Sequence, residues 1–194
     1  MIFKEKVYQN DNLNIREFNK DTISKEPLFE LAISKINDKF RMLINAKDLK
    51  FNKLWLVNSI SDDTKKNILP YVPHIDKKRF LKAMVYLHDI SLEHGPIHLG
   101  KVKNNINIEK IRKELPKDYK IKGLNIVNKN QIQESVTPML GKAGDVIFFD
   151  TNVPHKAGVI KEGFNRKVLR FDFERPSYNS KKNYIKNIIN KIIK

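Results

Sequence analysis

The stretch LKAMVYLHDI, residues 81–90, decides the fold. Leu81, Ala83, Val85 and Leu87 fall on one side of an extended chain, and Lys82, Met84, Tyr86 and His88 on the other. A period of two marks a strand. Upstream, FNKLWLVNSI at 51–60 is a short apolar run around Trp55 that reads as another strand. Downstream, strand signals lie at 132–136, at 145–150 after a turn at Gly144, and at 167–173. Helical spacing is confined to few places. Phe29, Ile33, Ile36, Phe40 and Leu43 recur at helical intervals within 24–43, which places Ser24 as N-cap and Pro27 in the first turn. Ile108, Ile111 and Leu115 share a face of a short inserted helix over 107–115 that stops before Pro116. Several short strands after one N-terminal helix, without regular strand–helix alternation, predict a mainly β fold with flanking helices, an antiparallel sandwich or jelly roll.

Neither an internal repeat nor a domain boundary is visible. The expected organisation is one domain over 1–194, with a helical N-terminal support to about residue 50, a core over 51–176 and a basic amphipathic helix over 177–194. That last segment stacks Ile185, Ile188, Ile189, Ile192 and Ile193 on one face, with lysines elsewhere. Docking on its own barrel is the expected role, and contact with a membrane surface or a partner is the other reading.

Composition narrows the chemistry. With 194 residues, 40% of them hydrophobic and 9% aromatic, the chain can bury a sizeable core. The absence of cysteine excludes a disulfide scaffold, zinc-finger sites, iron–sulfur clusters and thiol nucleophiles, so any metal is held by His and carboxylate. No apolar run is long enough to span a membrane and the N-terminus has no signal-peptide core, which predicts a cytoplasmic protein. The formal net charge of +16 suits an anionic partner. Its basic residues are dispersed, without the Arg-rich, aromatic-interleaved stripe of a single-strand binder, so a small anionic molecule is favoured over nucleic acid.

The informative polar motif is Pro73-His74-Ile75-Asp76. In extended backbone His74 and Asp76 project to the same side and can offer an imidazole nitrogen and a carboxylate oxygen to one ion. An HxD triplet alone is common by chance. Here His155 stands downstream, after GDVIFFDTNVP, and Arg166 follows it. Two histidines and one carboxylate compose a facial triad, which suits non-haem Fe(II) and leaves coordination positions open.

Three blocks resemble the iron(II)/2-oxoglutarate-dependent dioxygenases of the phytanoyl-CoA dioxygenase type. They are PHIDKKRFLKAMVYLHDISLEHGP at 73–96, GKAGDVIFFDTNVPHKAG at 141–158 and NRKVLRFDF at 165–173, in the order and spacing of that family. The resemblance implies a cupin-like double-stranded β-helix, the jelly roll of these enzymes. It implies His74, Asp76 and His155 on Fe(II) and Arg166 on the far carboxylate of 2-oxoglutarate, with O₂ as the other co-substrate. A guanidinium fits that task because it is permanently charged and grips a planar carboxylate with two donors. Arg170 is the competitor, about 13 Å along the same strand face. Where some relatives place a hydroxyl residue two positions after the distal histidine, this chain has Ala157, which leaves Tyr86 and Thr151 as candidate hydroxyl donors to the co-substrate. The implied reaction hydroxylates a small molecule and releases succinate and CO₂.

The other polar residues read as structural. His94 and His98 have a ligand-like spacing, but Gly95-Pro96 breaks the helix it would need. His88 lies at a strand end, Asp145 and Asp150 belong to turns, and Trp55 to the core. Two rival functions are a non-catalytic jelly roll that binds an anionic ligand, and a cupin-like isomerase or hydrolase that uses another divalent ion. What selects the substrate is expected in 101–131 and the N-terminal seventy residues.

Overall fold

The computed structural model describes residues 6–10, 13–61, 69–104, 106–115 and 133–175. The candidate C-terminal helix at 177–194 and most of 101–131 lie outside the described residues. The chain opens with a hairpin of β1 (Lys6–Asn10) and β2 (Leu13–Phe18), followed by helices α1 (Lys20–Lys25) and α2 (Pro27–Ile44). Strands β3 (Lys50–Ile60), β4 (Leu81–Tyr86) and β5 (Ile97–Val102) lead to α3 (Ile108–Glu114). Then come β6 (Gln133–Pro138), β7 (Val146–Asp150), β8 (His155–Ala157) and β9 (Asn165–Glu174).

The strands form two sheets, one in the order β1-β2-β3-β9-β4-β7 and one in the order β6-β5-β8, and all their pairings are antiparallel. An isolated bridge between His74 and His155 attaches the HxD segment to the outer edge of β8. Chain order and sheet order interleave, so consecutive segments pass from one sheet to the other. This is the jelly roll that the sequence predicts, with the β1–β2 hairpin added to the larger sheet.

Register explains which residues point inward. Across β3, β9, β4 and β7 the row Leu54–Phe171–Ala83–Phe148 faces the helices, and packs with Phe173 on Ile36 and Phe40 of α2. Three positions along, Val57, Val168 and Tyr86 pair on the opposite face. They meet Ile97 of β5, Ile90 and Phe149 in the interior between the sheets. Both faces of β4 are therefore covered, as its burial shows. His74, Asp76, His155 and Arg166 are buried among this apolar lining.

The helix start differs from the expected one. Ser24 is not an N-cap; it lies inside α1, where its hydroxyl donates to the Asp21 carbonyl. Asn19 caps α1 by accepting from the Thr22 N–H at 2.8 Å. Proline disfavours helical backbone in the residue before it, and Glu26 sits at φ −112°, ψ 92°, so α2 starts afresh with Pro27 in its first turn. The α3 reading holds, with Asn107 accepting from the Lys110 N–H. No described helix is long and apolar enough to cross a membrane.

Phe40 is 2% exposed and lies edge-on to both Phe148 and Phe173, with ring centroids 5.0 and 5.5 Å away. Phe40→Ala removes this contact and leaves a cavity between helix and sheet. We expect a loss of about 3–5 kcal/mol in unfolding free energy by urea titration.

Candidate metal centre

The centre is built by one pair of main-chain hydrogen bonds. The His74 N–H donates to the His155 carbonyl at 3.0 Å and the His155 N–H donates back to the His74 carbonyl at 2.8 Å. Directly opposed residues of an antiparallel pair project to one side, so the two imidazoles stand with centroids 4.4 Å apart, tilted by 49°. Asp76, two residues beyond His74, is on the same side. One donor atom from each of His74, Asp76 and His155 lies within 4.8 Å of the others, and all three side chains are buried.

Both rings are oriented by the same device. Nδ1 of His74 lies 2.9 Å from the Val72 carbonyl and Nδ1 of His155 lies 3.0 Å from the Val153 carbonyl. A carbonyl only accepts, so Nδ1 carries the proton in each ring and the lone pair is on Nε2. That is the tautomer a metal ligand needs. Burial, with help from His74 and Lys82, holds the His155 pKa down at about 3 against the opposing pull of Asp76 and the Val153 hydrogen bond. The imidazole is thus neutral at ordinary pH.

Asp76 is held at several atoms. Oδ1 faces the His155 Nε2 at 3.9 Å, while Oδ2 accepts from the Lys82 ammonium at 2.6 Å. Its carbonyl accepts from Nε of Arg112 on α3 at 2.9 Å. Arg112 also donates to Asn152 Oδ1 at 2.8 Å and to the Thr151 carbonyl, so one guanidinium ties together the two segments that carry the ligands. Behind them Arg79 donates Nε to both Asp150 oxygens and Nη2 to Oδ2 at 2.6 Å.

Arg166, on the inward face of β9, is buried; Nη1 donates to the Gly95 carbonyl and Nε has no partner. No carboxylate pairs with it among the described residues. Burial pulls its pKa down, and the Tyr86 and Tyr71 hydroxyls oppose that pull. An unmatched guanidinium in an apolar interior is costly without an anion beside it.

The remaining candidates separate from this pair of features. Tyr86 is fully buried near Arg166 but gives its proton to the Met139 carbonyl at 2.6 Å, and burial raises its pKa. Thr151 has no hydroxyl to offer: Oγ1 accepts from the Phe80 N–H at 2.8 Å and donates to the Phe80 carbonyl at 3.1 Å. Arg170 is also engaged elsewhere, with Nε and Nη2 on Asp172 at 3.0 and 3.2 Å and its guanidinium over the Trp55 ring. Trp55 is accordingly more than core, since its Nε1 donates to Asp172. His94 accepts from Ser91, His98 lies on β5 with Nδ1 at the Pro96 carbonyl, and His88 accepts from the Lys167 N–H. Ala157 donates its N–H to Pro70.

Lys82 and Arg112 were not singled out from the sequence. For Lys82 a signal existed, since it is a lone charge between apolar residues and shares a strand face with Tyr86. Arg112 gave none, because its role depends on where α3 lands.

Comparisons with known proteins agree with this fold. The family model described as Phytanoyl-CoA dioxygenase (PhyH) matches residues 4–168. No curated protein matches the chain. Among solved structures, the non-heme alpha ketoglutarate dependent epimerase SnoN from nogalamycin biosynthesis superposes with a TM-score of 0.55 at 17% identity, covering 90% of this chain and 67% of that one. HygX from Streptomyces hygroscopicus, with nickel and 2-oxoglutarate bound, gives 0.54 at 14% identity over 88% and 73%. The carbocyclase SnoK gives 0.58 at 13% over 87% and 68%. At these identities the likeness is one of fold.

The depressed His155 pKa has a consequence for the metal-free protein. Between the unperturbed value of 6.5 and about 3, the unfolded chain binds a proton that the native imidazole refuses. Stability therefore falls as pH falls through that window, by at most about 1.4 kcal/mol per pH unit from this group. Urea midpoints of wild type and His155→Gln, compared from about pH 7 to pH 4, should show a shallower decline in the variant; equal slopes would contradict the assignment.

Proposed function

The chain belongs to the phytanoyl-CoA dioxygenase family, and on that premise we propose that it is an Fe(II)- and 2-oxoglutarate-dependent oxygenase that hydroxylates a small molecule. One observation carries the reading: the fold gathers a two-imidazole, one-carboxylate donor set, and its interior also buries a guanidinium that no acid partners among the described residues. The donor set fits Fe(II), since two neutral nitrogens and one carboxylate oxygen leave three positions of an octahedral ion open. The unpartnered Nε of Arg166 fits the far carboxylate of 2-oxoglutarate. When bound, these groups supply with O₂ an oxidant able to cleave a C–H bond, with 2-oxoglutarate ending as succinate and CO₂ and the second oxygen atom going to the substrate.

The residues of this chain divide the work. His74 and His155 hold their lone pairs toward one point through Nδ1 hydrogen bonds made behind each ring. Asp76 adds the negative charge that favours a divalent ion. Arg166 neutralises and orients the co-substrate, and Tyr86 packs beside it as an ordering hydroxyl rather than a free donor. Asp150 is bound to Arg79 and takes no part in proton transfer.

The intact donor set favours an enzyme over a non-catalytic binding protein of the same fold. Hydroxylation is supported by Asp76, which keeps the third protein ligand. Relatives in fold are described as an epimerase and a carbocyclase, so the scaffold serves other reactions as well. HygX has been solved with hygromycin B bound, which supports a small-molecule substrate. The net charge of +16 supports an anionic one.

Under anaerobic conditions Fe(II) and 2-oxoglutarate should give the weak visible charge-transfer band of the chelate, and its absence in folded protein would refute the proposal. His74→Ala or His155→Ala should abolish both band and succinate release. Arg166→Met should raise the apparent KM for 2-oxoglutarate roughly 10–100-fold with the metal site retained, the worth of a charge-assisted hydrogen bond. A screen of phosphorylated, acyl and amino-acid compounds for succinate release identifies the substrate.

A further inference from the structure

Lys82 is the residue of the centre that the mechanism above leaves without a task. It projects inward from β4, its side chain 12% exposed against 8% for Asp76, with its ammonium 2.6 Å from Asp76 Oδ2. In register its neighbours are Asp172 on β9 and Phe149 on β7. Asp172 is the nearer acid along the sheet, but its two oxygens already accept from Trp55 and Arg170. With that acid occupied and an aromatic ring on the other flank, the ammonium is directed to Asp76.

The two oxygens of Asp76 thereby face different partners, Oδ1 toward the His155 Nε2 at 3.9 Å and Oδ2 toward the ammonium. A buried ion pair is a poor source of stability, because desolvation offsets most of its attraction. Its effect here is geometric. A carboxylate can ligate a metal through one oxygen or through both. A cation on Oδ2 forbids the second mode, since the metal and the ammonium would have to share that oxygen at like-charge contact. The difference matters to the coordination count. Two imidazoles and one oxygen leave three positions, enough for a two-point co-substrate and O₂; two oxygens would leave one too few.

Resting on the functional reading above, we propose that Lys82 is a positioning residue that restricts Asp76 to ligation through Oδ1, and so keeps the position for O₂ open. Removing the ammonium lets Oδ2 swing onto the ion while the imidazoles and Arg166 stay in place. Metal and 2-oxoglutarate then still bind, and only the last position is lost.

The test uses anaerobic Fe(II)- and 2-oxoglutarate-loaded protein, with nitric oxide as the stand-in for O₂ and its electron paramagnetic resonance signal as the readout. Lys82→Met should keep the charge-transfer band of the chelate but bind nitric oxide roughly 10–100-fold more weakly than wild type, the scale of a lost outer-shell contact. Lys82→Arg, which keeps a cation on Oδ2, should restore the wild-type affinity. Wild-type nitric oxide affinity in Lys82→Met, or loss of the chelate band together with it, overturns the proposal; the second outcome means that Lys82 merely builds the site. A wild-type protein without the band refutes the oxygenase reading itself. Should Lys82→Met fail to fold, X-ray absorption of Co(II)-loaded wild type decides: carboxylate ligation through one oxygen supports the proposal and chelation ends it.

Discussion

Two reciprocal main-chain hydrogen bonds between His74 and His155 are the constraint on which the centre depends. They are ordinary in strength, each contributing on the order of 1 kcal/mol. Their importance is positional. They fix a loop segment in register against the edge of a three-residue strand, and a slip by one residue would turn an imidazole to the opposite face. β8 is in turn set by β5, where Leu99 opposes His155, so the smaller sheet aligns the distal histidine before any metal arrives.

Around that bridge the fold sets three charge pairs. Asp76 meets Lys82, Asp150 meets Arg79, and Arg112 meets Glu109 while reaching the carbonyls of Asp76 and Thr151. Each pair lies beside a ligand-bearing segment, and for the most deeply buried of them, Asp76 with Lys82, removing one half would cost several kcal/mol. α3 therefore acts less as an inserted ornament than as the clamp on the outer side of the HxD loop, with Ile108 and Leu115 packed on the fully buried Ile75.

Much of this was legible in the sequence where a physical period was strong. Alternation over 81–90 identified β4, and the placement of Lys82 with Tyr86 was already implied by it. The HxD triplet and the distal histidine were readable because metal ligation demands those residue types, and the arginine after them through the resemblance of its block to the family. Short elements were not. β8 has three residues and β5 contains a glycine, so neither shows a period of its own. The β1–β2 hairpin is polar enough to resemble a loop and gains its strand character by pairing with β3. Ser24 was misread because a helical run and a proline were legible, whereas the restart they enforce was not. Thr151 failed as a donor for a similar reason: its hydroxyl is chemically able, but the Phe80 main chain lies across from it, and only tertiary structure places it there.

Arg166 presents the remaining step, because a guanidinium in an apolar interior needs a reason to be there. Among the described residues its acceptor is the carbonyl of Gly95, a residue at φ +61°. A Cβ at Gly95 would stand 2.5 Å from the Gly158 carbonyl oxygen, and one at Gly158 would stand 2.6 Å from that of Pro96. The two loops thus touch backbone to backbone, in a contact that only glycine permits at both sides. That contact fixes the carbonyl that steadies one edge of the guanidinium and leaves Nε unanswered. A buried, half-satisfied cation is costly to a protein, and under the proposed function the far carboxylate of 2-oxoglutarate is what would offset that cost.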